Sequence, residues 1–165
     1  MISSVKEINS NYQTAIECYQ KAKNIALERE DKTQEAQAYL ELGHAYLKIG
    51  QHQTTIECYQ KALEIALERG DKLQEREAFL GLGNTFHAIG QYQKAINYYK
   101  ETLQIFPQQS DKSGEINAFL GLGKAYTNIG EHQRAVQYYE EALELAKELR
   151  DGSQQSNTII WLGYI

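Results

Sequence analysis

NYQTAIECYQKAKNIALERE (11–30) and QHQTTIECYQKALEIALERG (51–70) lie forty residues apart and agree at most positions. The same offset lays QYQKAINYYKETLQIFPQQS (91–110) and EHQRAVQYYEEALELAKELR (131–150) over them. The other half of the period repeats too, as AYLELGHAYLKIG (38–50), AFLGLGNTFHAIG (78–90) and AFLGLGKAYTNIG (118–130). Self-similarity at a fixed period of this length marks a stacked-repeat architecture, in which no repeat buries its apolar face alone. Three full repeats fit, 36–75, 76–115 and 116–155, after a half repeat in 1–35 and before the start of another in 156–165. One array therefore spans 1–165.

Each repeat reads as two helices. Tyr39, Leu42, Tyr46 and Ile49 recur at spacings of three and four and share one helical face; Ile56, Tyr59, Leu63 and Leu67 do the same in the second half. Gly50, Gly90 and Gly130 stand just past the last apolar residue of the first helix, where a left-handed residue ends a helix. Asp31, Asp71, Asp111 and Asp151 precede the next first helix as N-caps, and Gln34, Gln74 and Gln154 stand three residues on, as in a capping box. Gly43, Gly83 and Gly123 sit inside the first helix, where each costs ~1 kcal/mol relative to alanine. Small residues on the second helix (Thr55, Ala95, Ala135, Ala62, Ala142) suggest that glycine meets small residue at a close helix–helix contact.

With these residues in view, the sequence resembles the tetratricopeptide repeat. The pattern runs Tyr39-x-x-Leu42-Gly43-x-x-Tyr46 and Thr55-x-x-x-Tyr59. It recurs as Phe79-x-x-Leu82-Gly83-x-x-Phe86 with Ala95-x-x-x-Tyr99 and Pro107, and as Phe119-x-x-Leu122-Gly123-x-x-Tyr126 with Ala135-x-x-x-Tyr139. The period is forty residues rather than thirty-four, similar to the longer variety found in kinesin light chains, polarity scaffolds and many bacterial signalling proteins. The resemblance implies an all-α, right-handed α-solenoid of antiparallel hairpins, a tetratricopeptide-like superhelix whose concave groove is lined by the first helix of each repeat.

Composition narrows the function. Of 165 residues, 42% are apolar and 24% charged, one is proline and twelve are tyrosine, as in a helical globular chain. No stretch approaches a membrane span or a signal peptide core. Two cysteines make no disulfide framework, so a reducing, cytoplasmic location is expected. The net charge of −5 repels a phosphate backbone on average, which argues against a nucleic-acid partner. Tyr98-Tyr99 and Tyr138-Tyr139 could stack bases, but packing explains them better.

No catalytic constellation, metal centre or cofactor loop emerges, and no enzymatic activity is expected. Glu41-x-x-His44 has the spacing of a di-iron helix pair, yet that chemistry needs a second pair, and the equivalent positions hold Gly81/Asn84 and Gly121/Lys124. Gly81-Leu82-Gly83 and Gly121-Leu122-Gly123-Lys124 follow no strand and lack the third glycine of a dinucleotide loop. Cys18 and Cys58 align with Tyr98 and Tyr138, so they read as packing.

Carried over from the family, the groove would be lined by Gln37, Leu40, His44, Leu47 and Lys48, then Glu77, Leu80, Asn84 and His87, then Asn117, Leu120, Lys124, Thr127 and Asn128. The candidate partner-binding residues are Gln37, His44, Lys48, Glu77, Asn84, His87, Asn117, Lys124 and Asn128. An apolar strip with amides and a few lysines suits an extended or helical peptide carrying some acidic residues. The expected role is a protein–protein interaction scaffold. The alternative is a regulatory or sensor segment of a larger signalling protein or protease. Leu40 and Leu80 stand where the family's chaperone-tail receptors place lysine, and Glu41 and Gly81 where they place asparagine, which argues against that partner. The ends invite two expectations: an excised piece of a longer protein, or end-to-end homodimerisation through the apolar 159–165 stub.

Overall fold

The computed structural model describes residues 2–105 and 112–164, with side chains from residue 9 onward. Asp111, Pro107 and Ile165 at the end of the 159–165 stub lie outside the described residues. Among the described residues, eight helices follow one another: α1 (Ile2–Glu28), α2 (Lys32–Lys48), α3 (His52–Arg69), α4 (Lys72–Ala88), α5 (Tyr92–Gln104), α6 (Lys112–Asn128), α7 (His132–Glu148) and α8 (Gly152–Leu162). Among the described residues there is no strand. The chain is an all-α solenoid of helix hairpins. It divides into two compact bodies, Met1–Thr85 and Phe86–Ile165. At the start, residues 2–10 continue straight into α1 and form no separate first helix.

The turns follow the sequence chemistry. Gly50, Gly90 and Gly130 have φ of +75°, +76° and +82°. Behind each, Gln51, Gln91 and Glu131 donate their N–H to the carbonyls of Tyr46, Phe86 and Tyr126 at 2.9–3.0 Å, closing a Schellman turn. Between hairpins the same left-handed conformation falls on Glu30 (φ 54°) and Arg150 (φ 55°), where no glycine marks it.

Asp31, Asp71 and Asp151 each accept a hydrogen bond from the backbone N–H three residues on, at 3.0–3.1 Å. The reciprocal half of the capping box is replaced at two sites. Gln74 Nε2 donates to the Thr33 carbonyl at 3.2 Å, and Gln154 Nε2 to Asn117 Oδ1 at 3.4 Å, so both side chains tie a helix to the preceding hairpin. Removing a cap acceptor typically costs ~1 kcal/mol. Asp31→Ala should therefore lower the urea midpoint by a corresponding amount with the helical circular dichroism retained; an unshifted midpoint would show that α2 does not depend on its cap.

Packing departs from the sequence expectation in two places. The buried face of α3 is Thr55, Cys58, Tyr59, Ala62, Ile65 and Ala66, whereas Leu67 is exposed. Thr55 fits an alanine slot because its hydroxyl donates to the Gln51 carbonyl at 2.9 Å. Gly43 and Gly123 meet tyrosine rather than small residues. A Cβ at Gly43 would lie 2.7 Å from the Tyr59 ring, and one at Gly123 would lie 2.4 Å from the Tyr139 ring. Gly81 and Gly121 do the same for the tyrosine of the preceding second helix, at 2.4 Å from Tyr59 and 2.5 Å from Tyr99. Glycine is needed at these places because a large ring occupies the volume of a side chain.

Candidate functional site

The side chains expected to meet a partner all lie on first helices, and their leucine neighbours do not share their exposure. Leu40 and Leu120 are buried, which assigns them to the core, while Leu80 is half-buried. In the N-terminal body, His44, Lys48 and Asn84 are exposed and Gln37 and Glu77 half-buried. Gln37 Nε2 donates to Glu41 Oε1 at 3.0 Å. His44 sits edge-on to Tyr59, ring centroids 5.6 Å apart at 80°. Its pKa is lowered, chiefly because its inner edge is desolvated; Lys48 adds to this and Glu41 opposes it. The imidazole is therefore neutral at pH 7.

The C-terminal body brings three of the expected residues together. Asn128 Nδ2 donates to the Lys124 carbonyl at 2.8 Å and lies 3.3 Å from His87 Nε2. An amide nitrogen only donates, so His87 Nε2 accepts and the ring proton sits on Nδ1. Burial, then the neighbouring Lys124, lowers the His87 pKa, in keeping with that neutral tautomer. The ring rests at 63° to Tyr92, centroids 5.3 Å apart. Lys124 is half-buried, and its Nζ stands 4.6 Å from the centroid of Trp161, a cation–π contact from α6 to α8. Burial lowers its pKa. Asn117 stands apart from this cluster, held by Gln154.

Trp161 is the residue that sequence reasoning passed over. It occupies the slot of Gly81 and Gly121, and a tryptophan where two repeats have glycine was the available signal. The aromatic pairs Tyr98 and Tyr138 are taken up by the chain itself. Tyr98 stacks on Phe86 (5.3 Å, 5°) and Tyr138 on Tyr126 (5.4 Å, 7°), leaving packing as their role. Of the cysteines, Cys18 is exposed; Cys58 is buried and its thiol is pushed up to about 11 by burial. Among the described residues, no three His, Cys, Asp or Glu side chains converge on a point that could hold a metal ion. No described helix is long and apolar enough to cross a membrane.

Helix hairpins on a forty-residue period, tyrosines seated on glycines and a polar first-helix face define a repeat solenoid. The chain belongs to the tetratricopeptide repeat family, whose models match residues 2–67, 34–108 and 118–153. No match was found among curated proteins. Among solved structures, the tetratricopeptide repeat domain of Arabidopsis FLU is 27% identical with a TM-score of 0.67, over 71% of this chain and 98% of that one. BtubC from P. vanneervenii is 24% identical with a TM-score of 0.85, over 98% of this chain and 67% of that one. The Rap conjugation regulator of plasmid pLS20, solved in complex with a peptide, is 18% identical with a TM-score of 0.81 over 94% of this chain. This chain spans 42% of that regulator's length.

Proposed function

We propose that this chain is a protein–protein interaction scaffold that takes a peptide or helix of a partner, one carrying acidic residues, against the faces of its first helices. The observation that carries this reading is the division of labour along those helices. Leu40, Leu42, Leu120 and Leu122 are spent on the core, while His44, Lys48, Asn84, Asn117 and Asn128 remain on the outside. Amides and a cation on a helix face suit the backbone and acidic side chains of an incoming segment. The regulator solved with a peptide has the same fold, which agrees with this use.

Selection of random peptides on the whole chain tests the reading. Selected peptides should compete with one another for one face. The double variant His44→Asp/Asn84→Asp should weaken them about tenfold, ~1.4 kcal/mol, with the helical circular dichroism unchanged. An empty selection, or peptides indifferent to the two added charges, would remove the first-helix face as the binding surface.

A further inference from the structure

We infer that the cleft formed by Tyr39 of α2 with helix α3 is a docking site for one aromatic side chain, tyrosine or phenylalanine, of a partner protein. It starts from a difference between repeats of the same chain. In the third repeat, Tyr138 of α7 lies against two rings of α6. It stacks on Tyr126 with centroids 5.4 Å apart at 7°, and on Phe119 at 6.1 Å and 28°. In the second repeat, Tyr98 stacks on Phe86 in the same way, at 5.3 Å and 5°. Two periods before Phe119, Tyr126 and Tyr138, the first repeat has Tyr39, Tyr46 and Cys58. It therefore keeps both receiving rings and lacks the ring that stacks on them. A cleft of about 490 Å³ opens there, lined by Tyr39 and, from α3, by Thr54, Glu57, Cys58 and Lys61 among others. That volume is in the range that holds small ligands, ~300–1,000 Å³.

The lining selects the occupant. Tyr39 supplies a half-buried ring on which another ring can stack offset or edge-on. The Cys58 thiol, pushed up to about 11 by burial, stays protonated at pH 7 and offers a polarisable sulfur, which favours aromatic neighbours. The charges around the cleft balance. Lys61 is paired with Glu64 at 2.7 Å. Lys23 of α1 stands 5.6 Å from the centre of the Tyr39 ring, and it and Glu57 act on the Cys58 thiol with opposite sign. A cleft without net charge has no preference for a carboxylate or an ammonium and suits a neutral ring. The inference does not rest on the first-helix reading above, because α3 is a second helix and neither His44 nor Asn84 lines the cleft.

The test titrates the whole chain into N-acetyl-4-fluorophenylalanine amide and follows the fluorine resonance. The response should saturate. N-acetyl-tyrosine amide should compete for the cleft, and N-acetyl-leucine amide, apolar but without a ring, should compete about tenfold more weakly. Cys58→Tyr should fill the cleft from within, as Tyr138 does in its repeat, and abolish the response while the urea midpoint holds or rises. Cys58→Ala should keep the response. Tyr39→Leu, which removes the stacking face, should abolish the preference for a ring over leucine and serves as the test should Cys58→Tyr not fold. A wild type that gives no saturable response, or that takes leucine as readily as tyrosine, would overturn the site with no variant needed. So would a response that survives in folded Cys58→Tyr. A response that fades as the chain's own concentration rises, with a doubling of its mass, would give the cleft to a second copy and overturn its assignment to a partner. His44→Asp/Asn84→Asp should leave the fluorine response unchanged, so failure of the first-helix reading and failure of this site are told apart.

Discussion

Valine in place of Gly81 is expected to lower the stability of the N-terminal body by about 3 kcal/mol, the upper end of the usual cost of overpacking a core. Two effects compete at this site. Leaving glycine for a residue with a Cβ gains some helix propensity, ~0.5 kcal/mol. Against that gain, the new Cβ would stand 2.4, 2.5 and 2.7 Å from three atoms of the Tyr59 ring. The ring is fully buried, and its other neighbour is Gly43, where a Cβ would stand 2.7 Å away. Tyr59 is therefore clasped between α2 and α4 and has nowhere to move, so the steric cost exceeds the propensity gain. Urea unfolding followed by circular dichroism reads the loss. Gly152→Ala is the control: nothing lies within 4 Å of its Cβ, and its midpoint should hold or rise slightly. Adding Tyr59→Ala to Gly81→Val should cost much less than the sum of the two single changes, since the ring that clashes is gone. Strict additivity, or an unmoved midpoint for Gly81→Val, would show that the ring is not what requires the glycine.

The hairpin pattern was legible because it depends on local chemistry. A glycine after Ile49, Ile89 or Ile129 demands a positive φ, and an aspartate before Lys32, Lys72 or Gly152 offers a cap; neither needs knowledge of what lies across the interface. The helix glycines were harder. Their occurrence signalled close contact, but the contacting group lies sixteen residues on for Gly43 and twenty-two back for Gly81, and spacing alone does not separate a small residue from a ring. Leu67 misled for a related reason. It keeps the helical period of Ile56, Tyr59 and Leu63, yet the alanines at 62 and 66 let α3 approach its neighbours on a different side. The site shows the same limit. Lys124 and Asn128 could be placed on one face from their spacing of four, whereas the meeting of Lys124 with Trp161 joins residues thirty-seven apart on different helices.

The second large effect falls on the leucines of the first helices. Leu40→Ala and Leu120→Ala should each cost about 2–5 kcal/mol, the range for truncating a buried leucine. Leu40 is 0% and Leu120 4% exposed, so each deletion leaves a cavity with no solvent-facing side through which to relax. Changes at exposed neighbours such as His44 or Asn117 should stay within about 0.5 kcal/mol. The contrast separates two uses of the same helix. If these leucines formed an apolar strip for a partner, alanine would spare the urea midpoint and weaken the ligand; as core residues, they should lower the midpoint and leave the affinity of the folded chain unchanged. A midpoint that holds at both positions would return them to the binding surface. With Leu40 and Leu120 in the interior, the proposed binding face is left chiefly with polar and charged side chains. On that proposal, binding should be sensitive to salt.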